Sequence, residues 1–375
     1  MAGIYIHIPF CKKACHYCNF HFSTTKHLMP QMLNAINKEI ILRKNELAET
    51  IDTVYFGGGT PSLLSIKDLQ LITNNLKEHY LINNNAELTL EANPDDITKE
   101  KLIGWKNCGI NRLSIGIQSF NEEELVWMNR AHNATQAINN LQLALQYFNN
   151  ISIDLIYGTP LLTNKQWLQN LQTVVVLNIP HISCYALTVE EGTALNKMIL
   201  QGKKQNANAD KQAQHFEMLM QWAFENNYEH YEISNFAKHG FKSKHNSSYW
   251  QGKNYVGIGP SAHSYNGTQR KWNIANNALY IKNVEQNIVL FEEETLTTTQ
   301  QLNEFLMIAL RTNEGIDFND DRWKMTDENY KNKIIETAKK WSASNHLLIT
   351  ENNICLTNKG KFLADGIAAD LFQLA

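Results

Sequence analysis

The fold of this chain is decided by one short segment, Cys11-Lys12-Lys13-Ala14-Cys15-His16-Tyr17-Cys18, which directly follows a β-rich run at residues 3–8. The segment supplies three thiols and no fourth. A structural zinc site or a fully protein-ligated iron–sulfur cluster takes four protein ligands, so three ligands leave one coordination position open. The spacing therefore predicts a metal site with an open position. The alternatives are a zinc site completed by His16 or His21, and three buried thiols without a metal.

The composition of the chain limits its class. Its 375 residues are 43% hydrophobic and 19% charged, which suffices for one large domain and a smaller one. A formal net charge of -3 and a pI near 6.5 argue against a nucleic-acid partner, because such proteins carry a basic face. We find no targeting sequence and no apolar run long enough to span a bilayer. Six cysteines, three of them in one segment, do not form a disulfide framework, and we expect a cytoplasmic, reducing location.

The first half of the chain alternates short β-rich runs with longer amphipathic helical patterns, which is typical of a parallel sheet with helical crossovers. We predict six strands, at residues 3–8, 53–56, 87–90, 111–117, 151–156 and 182–185. We predict helices at residues 29–44, 65–81, 99–108, 122–129, 134–148 and 165–176, with Thr98 as the N-cap of the third.

Polar residues at the strand ends distinguish a barrel from a doubly wound sheet. Such residues fall at or near the carboxyl ends of five successive strands, namely Cys11, residues 57–60, Glu91, Gln118 and Asp154. A barrel gathers its site from many strand ends, whereas a doubly wound sheet concentrates ligand contacts at one switch point. We therefore predict an α/β fold with an open, partial (β/α)6 barrel.

The chain divides into three predicted regions, a barrel at residues 1–190, an extension at residues 191–296 and a C-terminal region at residues 297–375. The extension combines a helix at residues 207–226 with an irregular, aromatic stretch at residues 228–272. The C-terminal region, with a wing at residues 347–356 and a last helix at residues 359–372, indicates a small winged-helix-like domain. It carries nine Lys and Arg against eleven Asp and Glu, so we expect a lid or docking role rather than DNA binding.

The Cys-x3-Cys-x2-Cys spacing after a strand closely resembles the signature of the radical S-adenosylmethionine (radical SAM) family. The resemblance implies a [4Fe-4S] cluster whose irons are bound by Cys11, Cys15 and Cys18, with the fourth iron chelated by the methionine end of SAM. The run Gly57-Gly58-Gly59-Thr60-Pro61 matches the glycine motif of the family, whose backbone carbonyls accept hydrogen bonds from SAM. Taken alone, this run indicates only a tight turn.

A finer resemblance is to proteins like oxygen-independent coproporphyrinogen III dehydrogenase. It implies that SAM is contacted by the residues at the matching positions, which are Tyr5, Tyr17, Gly58, Gly59, Thr60, Glu91, Gln118, Arg130, Asp154 and Ala186. Carboxylates suit the ribose hydroxyls, and Arg130 suits the carboxylate of SAM. Taken singly, Asp154 is also explained by a local ion pair and Arg130 by a solvated helix position.

Two features distinguish between members of this subgroup. The dehydrogenases carry a further cysteine two residues after the third, whereas this chain has Phe20 there, a pattern that resembles the heme chaperones of the subgroup. The chain also carries the subgroup's His-Asn-x-x-Tyr-Trp motif, with His245, Asn246, Tyr249 and Trp250 as candidate heme-binding residues. Imidazole is a common axial ligand of heme, and aromatic rings offer a flat apolar surface. Without the family, the same residues are better explained as core aromatics beside a hydrogen-bonded histidine, because a single histidine is usually structural.

The resemblance implies a heme chaperone that binds a [4Fe-4S] cluster, SAM and heme and passes heme to acceptor hemoproteins, including those of a respiratory chain. A reductant for the cluster, peripheral membrane contact and homodimerisation are further expectations. The alternative is a true enzyme of porphyrin metabolism, an oxygen-independent coproporphyrinogen III dehydrogenase that forms protoporphyrinogen IX by oxidative decarboxylation. A third class, a zinc-stabilised binding module, is disfavoured by the glycine motif and the strand-end residues.

Overall fold

The computed structural model describes residues 2–324 and 326–373 of the chain. Its strands are β1 (Ala2–Ile8), β2 (Ile51–Gly58), β3 (Ile82–Ala92), β4 (Arg112–Gln118), β5 (Ile151–Tyr157), β6 (His181–Ala186), β7 (Glu229–Glu232), β8 (Asn235–Ala237), β9 (Asn254–Ile258), β10 (His263–Tyr265), β11 (Gln269–Asn273), β12 (Phe291–Thr295), β13 (Ile316–Asp317), β14 (Leu347–Ile349) and β15 (Asn353–Leu356). Its helices are α1 (Met29–Leu42), α2 (Ile66–His79), α3 (Lys99–Asn107), α4 (Glu122–Trp127), α5 (Ala134–Leu145), α6 (Asn164–Val176), α7 (Ala194–Leu200), α8 (Ala209–Glu225), α9 (Lys244–Trp250), α10 (Asn277–Glu285), α11 (Thr298–Leu310), α12 (Asp321–Lys324), α13 (Glu328–Ala343) and α14 (Ala364–Leu371). In the described part of the chain, no helix combines the length and the apolar character needed to cross a bilayer.

The six predicted strands form the centre of the fold. β1 to β6 are consecutive parallel neighbours, and helices connect each strand to the next. Ile4, Ile6 and Ile8 lie on one face of β1 and are fully buried, which shows that this face of the strand packs in the core. The Thr98 hydroxyl accepts a hydrogen bond from the Lys101 N–H and caps α3. The predicted α/β fold with a partial (β/α)6 barrel is confirmed.

The sheet continues beyond both edges of this barrel. β9 pairs in parallel with β1 and leads through antiparallel pairs to β10, β11 and β12, whereas β8 and β7 extend the β6 edge. The prediction of an irregular stretch at residues 228–272 is therefore wrong. These strands are only three to five residues long and several are polar, so they are too short to show the alternation that marks a strand in a sequence.

The last part of the chain has an apolar cluster of its own. Leu306, Ile334 and Ile367, from α11, α13 and α14, are fully or almost fully buried within it. β13, β15 and β14 form a three-stranded antiparallel sheet, in which β14 and β15 correspond to the predicted wing. Backbone hydrogen bonds from Ile233 N–H to the Arg311 carbonyl and from Asn313 N–H to the Tyr231 carbonyl connect this part to the rest of the chain.

Candidate active site

A cavity of about 510 Å³ lies at the carboxyl ends of the parallel strands. Its lining contains the three cysteines and nine of the residues predicted to contact SAM, which are Cys11, Cys15, Cys18, Tyr17, Gly58, Gly59, Thr60, Glu91, Gln118, Arg130, Asp154 and Ala186. We call it the cysteine cavity. The fold thus brings together residues spread over 176 positions, because the strands that carry them all end at the same edge of the barrel. Tyr5 is the exception, since it lines a neighbouring cavity instead.

The cysteine loop between β1 and α1 is held in place by contacts from several elements. The Cys11 N–H donates to the Ser23 carbonyl at 3.0 Å, and the Thr60 hydroxyl donates to Cys11 Sγ at 3.5 Å. Arg130 Nη1 donates to Cys15 Sγ at 3.2 Å. All three cysteines of the loop are free thiols and half-buried. The loop is therefore fixed against the ends of β2 and β4, with its sulfurs beside the cavity.

The arrangement of donors fits an iron–sulfur cluster better than a single zinc ion. Burial raises the pKa of Cys11, and it raises the pKa of Cys18 to about 11, so these thiols need a metal's charge to become thiolates at neutral pH. Within the described residues, no three His, Cys, Asp or Glu side chains lie close enough together to bind one metal ion, whereas a zinc site uses three or four such ligands on a single ion. A cluster instead binds each thiolate to a different iron. The two histidines proposed to complete a zinc site, His16 and His21, do not line the cysteine cavity.

The glycine motif lies against the chain that enters the cysteine loop. Gly58 has φ of 106°, in the left-handed region that favours glycine. A Cβ atom on Gly59 would lie 2.7 Å from the Phe10 carbonyl oxygen and 2.8 Å from that of Ile8. The Gly59 N–H donates to the same Ile8 carbonyl at 2.9 Å. The motif therefore has no room for side chains and presents bare backbone to the cavity.

Gln118, at the end of β4, combines backbone strain with an unsatisfied polar atom. Its φ is 62°, where a non-glycine residue costs about 1–2 kcal/mol. Its buried Oε1 atom has no hydrogen-bond partner in the described part of the structure. Strained backbone and an unpaired polar atom are features of ligand-binding sites. Gln118 thus offers a hydrogen-bond acceptor to a molecule in the cysteine cavity.

Two carboxyl groups, Glu91 on β3 and Asp154 on β5, face the same cavity. Burial and the nearby Asp154 raise the pKa of Glu91 to about 7, and burial raises the pKa of Asp154 to about 6. The Tyr55 hydroxyl donates to Glu91 Oε1 at 2.8 Å. No ion pair to Asp154 occurs among the described residues, so the local ion pair considered from the sequence is not formed. The Ser114 hydroxyl donates to Asp154 Oδ1 at 3.5 Å. Carboxyl oxygens can accept more than one hydrogen bond, so both groups can also accept from ligand hydroxyls.

Arg130 is a half-buried cation whose contacts are neutral acceptors and a thiol. Its Nη2 donates to Asn93 Oδ1 at 2.7 Å and to the Gly116 carbonyl at 2.8 Å. Its buried Nε has no partner among the described residues. The side chain is thus not the solvated helix residue considered from the sequence. A cation fixed beside the cysteine loop without a carboxylate suits an anionic group of a ligand.

The His-Asn-x-x-Tyr-Trp motif forms α9, and its members face different surroundings. His245 is 1% exposed, and its ring nitrogens are bonded to Thr53 Oγ1 and the Tyr249 hydroxyl, both at 2.8 Å. Asn246 lines the cysteine cavity, Tyr249 lines the neighbouring cavity, and the Trp250 ring lies 5.3 Å from the guanidinium of Arg311. Heme ligation by His245 would require breaking one of its two hydrogen bonds. The structure does not gather the four candidate residues around one cavity.

The neighbouring cavity has a volume of about 690 Å³, and we call it the aromatic cavity. Its lining includes histidines, aromatic residues and arginines, among them Tyr5, His7, His21, Tyr249, Tyr255, His263, Tyr265, Arg270, Phe305 and Arg322. Asn19 and Phe20 line both cavities, and Phe20 is 67% exposed. Sequence reasoning noted the aromatic density of residues 228–272 but missed this cavity, because its walls come from four distant segments.

Comparison with known proteins identifies the family of this chain. Residues 5–174 match the model of the Radical SAM superfamily. The chain is 32% identical to "Heme chaperone HemW" of Bacillus subtilis (strain 168) over 98% of each chain. It is also 32% identical to the mouse "Radical S-adenosyl methionine domain-containing protein 1, mitochondrial", over 84% of this chain and 74% of the mouse protein.

A solved structure shares the fold. The structure titled "Coproporphyrinogen III oxidase (HemN) from Escherichia coli is a Radical SAM enzyme" superposes with a TM-score of 0.85 over 99% of this chain and 90% of that chain, at 23% identity. That likeness covers the barrel, the extended sheet and the C-terminal region alike. The identity and coverage of the HemW relatives go further than the fold. The chain belongs to the HemW family within the radical SAM superfamily.

Proposed function

We propose that this protein is a heme chaperone that binds a [4Fe-4S] cluster, SAM and heme and transfers heme to acceptor hemoproteins. The observation that carries the proposal is that the three cysteines share one cavity with nine of the ten residues expected to contact SAM. The printed name of the B. subtilis relative supports the chaperone role, and Phe20, where the dehydrogenases carry a cysteine, supports it as well.

Each part of the cysteine cavity has a chemical task in this proposal. Cys11, Cys15 and Cys18 would hold the cluster, which when bound supplies electrons for reductive cleavage of SAM. Arg130 offers its guanidinium to the SAM carboxylate, and Glu91 and Asp154 offer oxygens to the ribose hydroxyls. The bare backbone of the glycine motif leaves space for the methionine end of SAM.

The remaining parts of the proposal rest on the family, on thiol chemistry and on the charge of the C-terminal region. Thiolate ligands and a cluster need a reducing compartment, so we infer a cytoplasmic location. A reductant for the cluster, hemoprotein acceptors, peripheral contact with a respiratory membrane and homodimerisation belong to the same proposal. We also propose that residues 297–375 act as a separate docking domain.

Anaerobic reconstitution with iron and sulfide tests the cluster. We expect the wild type to take up iron and sulfide and to show broad visible absorption, because three cysteine thiols line the cavity and can become thiolate ligands when iron binds. Cys15→Ala should lose both, whereas Cys355→Ala should retain them, since Cys355 lies on β15 outside the cavity. Colourless wild-type protein that contains only zinc would overturn the cluster assignment.

An activity assay separates the chaperone from the enzyme. We expect that the reconstituted, reduced protein with SAM leaves coproporphyrinogen III unchanged, and that heme-loaded protein passes heme to an apo-hemoprotein. Formation of protoporphyrinogen IX would overturn the chaperone assignment in favour of the dehydrogenase.

A further inference from the structure

The aromatic cavity has the size and walls of a binding site for a large flat ligand. Its volume of about 690 Å³ compares with roughly 300–1,000 Å³ for the ligand sites of proteins. Rings of Tyr249, Tyr255, Tyr265, Phe305 and Phe20 line it. Aromatic surfaces of this kind bury the apolar face of a planar molecule.

His263 is the histidine of this cavity that is ready to bind a metal. It lies exposed on β10, where its ring stacks on Trp272 at 6.1 Å between centroids. In the described part of the chain, neither nitrogen of its ring makes a hydrogen bond. His7, in contrast, uses both ring nitrogens, and His21 uses Nε2.

Two arginines in the lining, each paired with a protein carboxylate, keep further hydrogen-bond donors for the carboxylates of a ligand. Arg322 lies 4.5 Å from the Phe305 ring and donates to Asp320 from Nε and Nη2, which leaves the donors of Nη1. Arg270 pairs with Glu304, and its guanidinium has further donors beyond that pair. A flat ligand with peripheral carboxylates can therefore place its ring among the aromatics and its anionic groups at the arginines.

We propose that the aromatic cavity is the site that holds an iron porphyrin, with His263 as the axial ligand and Arg270 and Arg322 as partners of its carboxylates. The proposal rests on the heme-handling part of the proposed function and assigns it to a cavity separate from the cysteine cavity. His245 is then a positioning residue, whose hydrogen bond to the Tyr249 hydroxyl orients an aromatic ring of the cavity wall.

Titration of the reconstituted full-length protein with hemin tests the ligand. We expect His263→Ala to lose the Soret shift of histidine ligation and to bind hemin at least about tenfold more weakly, while its affinity for metal-free protoporphyrin IX changes by less than about threefold. His239→Ala is the matched control, because His239 is exposed in a turn outside the cavity, and it should behave as wild type.

A second pair of variants tests the cavity itself. Ile308 lines it from α11, whereas the adjacent Met307 is exposed and does not. Ile308→Trp should weaken the binding of hemin and of protoporphyrin IX alike by at least about tenfold, and Met307→Trp should weaken neither. The iron content of the cluster, measured in every variant, checks that the barrel remains folded.

The outcomes separate this inference from the proposed function. Wild-type protein that binds no hemin would overturn both. Wild-type binding that is unchanged in His263→Ala and Ile308→Trp but lost in His245→Ala would overturn the cavity assignment and leave the chaperone proposal standing. Equal loss of hemin and protoporphyrin IX binding in His263→Ala would overturn the role of His263 as an iron ligand.

Discussion

At the scale of single residues, the cysteine cavity contains buried polar atoms without a protein partner in the described structure, Nε of Arg130 and Oε1 of Gln118. Arg130 has no carboxylate among the described residues, and Gln118 has an unpaired Oε1 on strained backbone. Burying a polar atom without a hydrogen-bond partner destabilises the folded protein, and a ligand that supplies the partner removes this unfavourable free energy. The position of these groups, rather than their residue type alone, marks the binding site.

The planar guanidinium of Arg130, which donates hydrogen bonds to several groups at once, leads to a first prediction. Arg130→Lys keeps the positive charge but cannot reach Asn93, Gly116 and Cys15 together, because an ammonium group lacks the planar donor array. We expect SAM binding to weaken by at least about tenfold, measured by calorimetry on the reconstituted protein. Wild-type affinity for SAM at equal cluster content would contradict the role given to Arg130.

The pKa of Glu91 leads to a second prediction. Burial raises this pKa to about 7 in the folded protein, above its ordinary value near 4.5, so the folded state binds more protons than the unfolded state between these pH values. The contribution of Glu91 to stability is therefore present below pH 4.5 and is lost as the pH rises to about 7. Because Glu91 faces a solvent-accessible cavity, we expect Glu91→Gln to stabilise the cluster-free protein by only about 1–2 kcal/mol at pH 8 and by nearly nothing at pH 4.5.

Urea unfolding at both pH values measures this effect. Asp52→Asn is a suitable control, because Asp52 is half-buried on β2 outside the cysteine cavity. An equal gain for Glu91→Gln at pH 4.5 and pH 8 would show that a cause other than ionisation is responsible.

At the scale of elements, a buried ion pair at the C-terminal end of α1 connects the barrel to strands β9, β10 and β11. Glu39 and Arg43 are 0% and 2% exposed and pair at 3.2 Å. Arg43 also donates to the Gly257 carbonyl at 2.6 Å and to Ser264 Oγ at 3.0 Å, and Glu39 accepts from Asn273 at 2.7 Å. Together these bonds join α1 to β9, β10 and β11.

Removal of one partner of this pair yields a third prediction. Arg43→Met leaves the Glu39 carboxylate buried without its cation, so we expect a loss of about 3–5 kcal/mol in the free energy of unfolding. Glu46, the second ion-pair partner of Arg43, has a side chain that is 33% exposed. Glu46→Gln should therefore lower the free energy of unfolding by less than about 1 kcal/mol. Urea unfolding of both variants measures these losses. Similar losses for Arg43→Met and Glu46→Gln would refute the idea that the buried Glu39–Arg43 pair contributes more to stability than the exposed pair.

Elements with a strong repeating pattern could be predicted from the sequence, and the others could not. The strands of the barrel and helices such as α2 and α6 have long apolar patterns and clear N-caps, Ser65 and Thr163. The residues at strand ends follow from that pattern, which is why nine expected SAM contacts meet in one cavity. The Glu39–Arg43 network and the placement of His263 depend on segments more than 200 positions apart in the chain, and no local signal reports such contacts.

At the scale of the whole molecule, the two cavities depend on different parts of the chain. The cysteine cavity is lined by residues between 11 and 246, whereas Gln301, Glu304, Phe305 and Ile308 of α11 form part of the aromatic cavity. Among the described residues, the C-terminal region thus contributes to the lining of the aromatic cavity and not to that of the cysteine cavity.

A truncated chain that ends at residue 296 provides the fourth prediction. We expect it to take up the cluster and bind SAM like the full chain, because the lining of the cysteine cavity is intact. Its affinity for hemin should fall by at least about tenfold, since one wall of the aromatic cavity is gone. Loss of the cluster in the truncated protein would mean that the barrel does not fold without residues 297–375.

Asn19 and Phe20 line both cavities, so they form a structural connection between the two. These two residues directly follow Cys18, and only two peptide bonds separate Cys18 from Phe20. A ligand that moves Cys18 can therefore also move the Phe20 ring. If a ligand in one cavity shifts the ring, it changes the dissociation constant of a ligand in the other cavity. Thermodynamic linkage then requires that the second ligand change the dissociation constant of the first by the same factor. If the cluster and heme bind as proposed, oxidative loss of the cluster should change the dissociation constant of heme, with the position of the Phe20 ring as the physical connection.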